Sequence, residues 1–342
     1  MPKPTKKELL AKPVEHIDIT KIDGKSLVDA YGKMSFSARD LARAAKIYDQ
    51  MLSDPNCSVW LTLAGSTSAG GCMQAYVDMV KNNMIDAIVA TGASVVDMDF
   101  FEALGFKHYQ GTPFIDDGML RSLYIDRIYD TFIDEEELQA CDQTIKKIAD
   151  GLQPRPYSSR EFIAKMGEWC VKHAKKKNSL VQTAFEHNVP IFCPAFSDSS
   201  AGFGLVLHQS KHPDVHVSID SVADFRELTE IKMNSQDSGL LMIGGGVPKN
   251  FAQDTVVCAE VLGKEVPVHK YAVQVTVADV RDGACSSSTL KEASSWGKVS
   301  TVHEQMVYAE ATLALPVIAA YGYQMGNWKK REKRNFSKLF GK

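Results

Sequence analysis

A repeated pattern, an apolar run that ends in a cluster of small residues, constrains this chain more than any other feature. Val59-Trp60-Leu61-Thr62-Leu63-Ala64 leads into Gly65-Ser66-Thr67-Ser68-Ala69-Gly70-Gly71, and Ala87-Ile88-Val89-Ala90-Thr91 leads into Gly92-Ala93-Ser94. The pattern recurs where Asn188–Ala195 leads into Phe196-Ser197-Asp198-Ser199-Ser200-Ala201-Gly202. It recurs again where Gly239–Ile243 leads into Gly244-Gly245-Gly246, and where Tyr271–Thr276 leads into a serine-rich loop. Short, continuously apolar runs of this kind suit strands buried on both faces. Helical spacing falls between them, over Ser37–Leu52 and from Gly71 through Met84. Strand, small-residue loop and helix in succession predict an α/β fold: a single Rossmann-like domain with a central, mostly parallel sheet flanked by helices.

The same spacing sets the expected boundaries. Residues 1–35 are polar, with Pro13 and Gly24 as breakers, and read as an N-terminal arm; residues 36–325 form the main domain. Within it, Phe106–Asp150 is acidic and reads as an excursion plus a helix, and a helix from Val307 to about Gly322 closes the fold. Residues 326–342 form a basic tail, which reads either as a solvated end or as a contact for RNA or membrane. A formal net charge of -3 argues against general nucleic-acid binding. The 7 cysteines are dispersed, with no Cys-x-x-Cys pair, so neither a disulfide framework nor a zinc site is expected and a reducing cytoplasm fits best. The N-terminus lacks the apolar core of a secretory signal, and no apolar run reaches membrane-spanning length.

In an open parallel sheet, loops that follow the strands gather at the carboxyl edge, where ligands bind. Gly65–Gly71 fits a phosphate cradle or tight strand–helix packing, and Gly244–Gly246 a close ligand approach or a strained turn. Asp97, Asp99 and Asp198 suit ribose or amine binding, or helix capping. His208, His212 and His216 have the spacing of a metal-binding helix face, but Pro213 interrupts it, so no metal is expected. There is no Gly-x-Ser-x-Gly, and so no support for acyl transfer. Lys298 follows Glu292 and Trp296 within seven residues. An amine there could form an imine with a carbonyl, and the carboxylate and indole suit a cationic amine. The competing reading is a surface lysine whose stem covers the indole.

Five features in order over roughly residues 55–320 resemble the deoxyhypusine synthase family, including its bacterial and archaeal homospermidine-synthase-like members. They are Leu63-Ala64-Gly65 before Gly70, Pro194-Ala195 before Asp198, Gly244-Gly245-Gly246 before Lys249, Ser295-Trp296-Gly297-Lys298 after Glu292, and Tyr308-Ala309-Glu310-Ala311. The resemblance implies NAD-dependent transfer of an aminobutyl group from a spermidine-like polyamine, through an imine on Lys298, to an acceptor amine. It implies homotetramers with sites at dimer interfaces, and an N-terminal segment able to cover a neighbouring site. Gly65, Ser66, Thr67, Ser68, Thr91, Gly92, Asp97, Asp198, Gly244, Gly245, Asp282, Gly283, Ser286 and Glu310 would then hold NAD, while Glu292 and Trp296 receive the polyamine. Imine exchange would require the Lys298 pKa to be lowered by burial or by a nearby cation. Three positions depart from the eukaryotic pattern: Phe203 and Cys285 replace acidic residues, and Asn250 replaces a histidine. The amine pocket is thus expected to be less acidic, which favours a small diamine acceptor and a homospermidine-type product. The alternatives are modification of a lysine on the hypusine-bearing translation factor, or a non-catalytic paralogue that binds NAD or polyamine.

Overall fold

In the computed structural model, which describes residues 3–283, 285–286 and 288–341, six strands form one sheet. They are β1 (Cys57–Leu63), β2 (Ala87–Ala90), β3 (Ile191–Phe192), β4 (Asp237–Ile243), β5 (His269–Thr276) and β6 (Val299–Tyr308). Their order is β6-β5-β4-β1-β2-β3, and every neighbouring pair is parallel. The main helices along the chain are α1 (Gly24–Tyr31), α2 (Phe36–Ser53), α3 (Met73–Lys81), α4 (Glu135–Asp150), α5 (Ser159–His173) and α6 (Leu180–His187). They continue with α7 (Ser200–Lys211), α8 (Ser221–Met233), α9 (Gly246–Gln253), α10 (Thr255–Val261), α11 (Leu290–Ser295) and α12 (Ala311–Met325).

Alternation along the strands assigns the core to two faces. Val59, Leu61 and Leu63 of β1 pack with Tyr48 of α2, Val77 of α3 and Ile318 of α12. Trp60 packs on the other face with Leu240 and Met242 of β4, Leu228 and Ile231 of α8 and Ala252 of α9. Every β1 residue is buried. Each fully buried aliphatic side chain contributes on the order of 1.5–3 kcal/mol, so the sheet is the stable frame on which the loops are mounted. The chain therefore has the expected α/β architecture, a parallel sheet with helices on both sides.

Three boundaries differ from those read from the sequence. The expected helix over Val307–Gly322 starts later: Val307 and Tyr308 end strand β6, and α12 begins at Ala311. The strand expected over Asn188–Ala195 shrinks to Ile191–Phe192, because Pro190 and Pro194 flank it and proline lacks an N–H for the ladder. Residues 13–31 are more than an irregular arm. Ile19 and Val28 are fully buried, and α1 lies so close to α12 that a Cβ on Gly24 would meet Ala320 Cβ at 2.7 Å. The acidic excursion contains a small antiparallel sheet of Tyr109–Gln110, Ile125–Ile128 and Thr131–Asp134. In the basic tail Arg331 is not solvated. Its guanidinium lies 2.5 Å from Asp86, and both side chains are buried. Among the described residues, no helix is long and apolar enough to cross a membrane.

Candidate active site

The loops after β1, β2, β3 and β4 meet at the carboxyl edge, as parallel pairing requires. Thr91 Oγ1 and Ser94 Oγ donate to the Gly65 carbonyl at 2.6 and 2.8 Å, which ties the β2 loop to the β1 loop. Nothing lies within 4 Å of the place a Gly65 Cβ would take, and Ser68 Oγ is buried without a hydrogen-bond partner. Gly244 has φ +78°, and a Cβ there would meet Ala64 Cβ at 2.8 Å, so both backbone and space require glycine. Gly245 follows as the residue before α9. Ser66, Thr67, Gly70, Tyr129, Glu310 and Thr312 line a groove of about 790 Å³ beside this edge. Glu310 caps α12, accepting from the N–H groups of Thr312 and Leu313 at 2.9 and 3.2 Å.

Several candidates at this edge work partly as packing or capping groups. Gly92 makes room for Ser199, whose Cβ would lie 2.4 Å from a Cβ on Gly92. Asp97 accepts from Ser200 N–H at 2.6 Å, at the start of α7. Burial raises the Asp97 carboxyl to about 6, and the charges of Asp142 and Asp198 add to this. Asp99 accepts from Leu180 and Val181 N–H at 2.7 and 2.8 Å and so starts α6. Asp198 is exposed beside them. Asp282 accepts from Ser286 N–H at 2.5 Å; Gly283 and Ser286 are exposed, and the Ser286 carbonyl lies 4.0 Å from a notional Cβ on Gly246.

Lys298 is placed elsewhere, immediately before β6 and hence at that strand's amino end. Lys298 and two residues leading up to it lie beside successive parts of α9 and its C-terminal end: Ser286 beside Gly246, Ser288 beside Lys249 and Lys298 beside Asp254. Eight residues of helix, about 12 Å, separate the glycine turn from Asp254. Lys298 Nζ is 2.5 Å from Asp254 Oδ1 and 5.3 Å from the Trp296 ring centroid. Its carbonyl accepts from His269 N–H at 3.0 Å. Trp296 is 71% exposed. Glu292, expected to hold an ammonium, here belongs to a capping box with Thr289, whose N–H donates to it at 2.5 Å. Those bonds, first from the Thr289 side chain and backbone, hold its carboxyl below the usual range.

Two residues of this cluster went unassigned in the sequence reading. Asp254 supplies the carboxylate that pairs with Lys298. Lys249 is 1% exposed and donates to the Ser288 carbonyl and, at 3.1 Å, to Ser288 Oγ. Burial lowers the Lys249 amine to about 8; the charge of Glu292 opposes this and that of Lys298 reinforces it. Phe203 is 62% exposed on α7 and Asn250 is exposed on α9. The fold does not bring Phe203, at the β3 end of the sheet, into the Lys298 cluster.

Among the described residues, Asp150, His208 and His212 place ligand atoms within 4.8 Å of one another. Pro213 does not break this pair, because α7 ends at Lys211 and His212 is its cap. However, His208 Nε2 accepts from Val217 N–H at 3.1 Å, which puts the ring proton on Nδ1, and Nδ1 donates to Asp150 at 2.7 Å. That arrangement leaves His208 no lone pair for a metal.

The class defined by this fold and edge is a Rossmann-like α/β protein with a glycine-lined ligand edge and a separate carboxylate–lysine–indole cluster. The sequence pattern of the deoxyhypusine synthase family matches residues 26–322, and the chain belongs to that family. It is 68% identical over 336 residues to a deoxyhypusine synthase-like protein of Coxiella burnetii, covering 98% of this chain and 96% of the relative. It is 65% identical over 346 residues to one of Caulobacter vibrioides, covering 100% and 94%. A solved structure of a candidate deoxyhypusine synthase from Entamoeba histolytica superposes with a TM-score of 0.63 at 19% identity. It covers 94% of this chain and 99% of that one, and supports the fold.

Proposed function

We propose that the protein transfers an aminobutyl group from a spermidine-like polyamine, through an imine on Lys298, to a small diamine, giving a homospermidine-type product. The observation that carries this is the placement of Lys298 against one carboxylate and one indole, in a chain of the deoxyhypusine synthase family. An indole face and a carboxylate attract a protonated polyamine, and a lysine amine beside them can exchange with an imine.

NAD is the proposed cofactor, and the carboxyl edge fits it: open space before Gly65, an unpaired buried hydroxyl at Ser68, a side-chain-free turn at Gly244 and an adjacent groove. When bound, it supplies the hydride acceptor that makes a carbon next to the secondary amine electrophilic and returns that hydride at the end, so no net oxidation results. Backbone N–H groups of Gly65–Ser68, Gly92 and Gly245 would hold phosphate. Thr91 and Gly244, whose N–H groups donate to the Leu63 and Val275 carbonyls, would shape the cradle, and Asp97, Asp198, Asp282, Gly283, Ser286 and Glu310 would hold its sugar and amide groups. Trp296 would cover the amine chain, with Glu292 at its outer end. Asn250 carries no charge, and Phe203, also uncharged, would line the acceptor end only across a contact with a second copy, so neither gives the acidic grip that a larger cationic partner would use.

Lys298 lies at the amino end of β6, whereas the nucleotide loops lie at the carboxyl edge. This supports a site completed by a second copy, within a homotetramer. The free cysteines suit a cytoplasmic setting. Incubation with NAD, spermidine labelled in its aminobutyl portion, and either putrescine or the hypusine-bearing translation factor tests the reading. Label is expected in a small triamine. Label entering the protein acceptor alone would overturn the small-diamine assignment.

A further inference from the structure

Lys298 faces two opposed demands. An imine forms from a neutral amine, yet Nζ lies 2.5 Å from Asp254 Oδ1, the geometry of an ammonium–carboxylate pair. We propose that Asp254 is an exchangeable counter-ion: it holds Lys298 while the site is empty and passes to an ammonium group of the incoming di- or polyamine, which frees Lys298 to react. This rests on the lysine–imine reading above and adds a positioning residue to it.

The geometry around Asp254 supports exchange. Its side chain is 37% exposed while that of Lys298 is 13% exposed, so a dissolved cation reaches the carboxylate more readily than the lysine leaves the protein. The backbone of Asp254 is fixed between two helices: its N–H donates to the Asn250 carbonyl and its own carbonyl accepts from Cys258 N–H, both at 2.8 Å. Although Asp254 is the residue before α10, its carboxylate makes no capping bond to that helix, so its side chain can change partners without unwinding a turn. One cation replaces another, so the carboxylate is never left unpaired, and the Trp296 face accepts either cation.

The other charged groups near Lys298 are already engaged elsewhere, so none of them takes the place of Asp254 as its counter-ion. Lys249, on α9, presents a second amine held by Ser288. Glu292, on α11, is bound to Thr289. The His269 imidazole, from β5, faces Ser238 and the Ala252 carbonyl rather than the amine. The proton of Lys298 leaves to bulk water. The substrate class follows: an amine whose second, protonated nitrogen can occupy Asp254 while its carbon–nitrogen bond lies at Lys298. A monoamine cannot do both.

The test needs no turnover. The pH dependence of Lys298 labelling by an amine-directed reagent is read by peptide mass spectrometry, with and without saturating spermidine and without NAD, in wild type, Asp254→Asn and Asp254→Glu. In wild type, spermidine should lower the labelling midpoint by about one pH unit or more. In Asp254→Asn the midpoint should already be low and should not respond to spermidine, while Asp254→Glu should restore the response. In turnover, Asp254→Asn should raise KM for the polyamine by about tenfold or more, a loss of about 1.4 kcal/mol in binding, with a smaller change in kcat at high pH. A wild-type midpoint unmoved by spermidine, or an Asn variant titrating like wild type, would overturn the exchange. A midpoint shift without any transfer activity would leave the exchange standing and remove the transferase reading instead.

Discussion

Glu102 shows how a single buried carboxylate can anchor a segment far away in the chain. His16 Nε2 lies 2.8 Å from it, His108 Nδ1 2.7 Å, and the Lys176 amine is also in contact. Burial pushes its carboxyl up, but hydrogen bonds from His108, His16 and Lys176 prevail and hold it well below the usual range. Because the folded-state value is depressed, the stabilisation is fully present above the unfolded value, near 4.5, and is lost as pH falls below it. Glu102→Gln should therefore cost about 3 kcal/mol at pH 7 and progressively less below pH 4.5, as urea titrations of both proteins at pH 7 and at about 3.5 would measure. An equal loss at both values would contradict this. None of these partners was legible in the sequence, because residues from the arm, a helix and two loops meet only after folding. The same is true of Asp254 at Lys298. Lys298 itself stood out because its indole and a carboxylate are sequence neighbours, whereas the carboxylate it touches comes from the end of another helix. Glu292 was legible as a carboxylate but not as a capping residue, although Thr289 three residues earlier was the available signal.

At the scale of elements, β1, β2, β4 and β5 could be read from apolar runs because both faces of each are buried. The edge strand β6 was missed. Its Ser300, Thr301, His303, Glu304 and Gln305 are polar, and only part of its length is buried, so it lacks the apolar run that marks a central strand. The glycine turns were visible as sequence, but their purposes divide. Gly244 is required by its own backbone, whereas Gly92 is required by its neighbour on the β3 loop. Gly92→Ala should force the β2 and β3 loops apart and destabilise the protein by about 1–3 kcal/mol, read as a lowered urea midpoint. An unchanged midpoint would show that Ser199 can move aside.

In the whole molecule, one sheet separates two groups of residues: the glycine-lined loops at the carboxyl edge, proposed to hold the nucleotide, and Lys298, the proposed imine-forming lysine, at the amino end of β6. Ser286, Ser288 and Lys298 lie beside successive parts of α9 and its C-terminal end, which spans the distance between them, and a second copy is the proposed means of closing the remaining gap. The arm packs on its own chain through Ile19, Val28 and the Glu102 cluster, and Gly24 lies against Ala320 of α12. The central claim is that Lys298 is the covalent centre. Borohydride reduction in the presence of NAD and spermidine, followed by peptide mass spectrometry, tests it most directly. The predicted result is an aminobutyl adduct on Lys298, absent in Lys298→Arg although that variant still binds NAD. An adduct on Lys249 instead, or an unmodified chain with NAD and spermidine both bound, would contradict it.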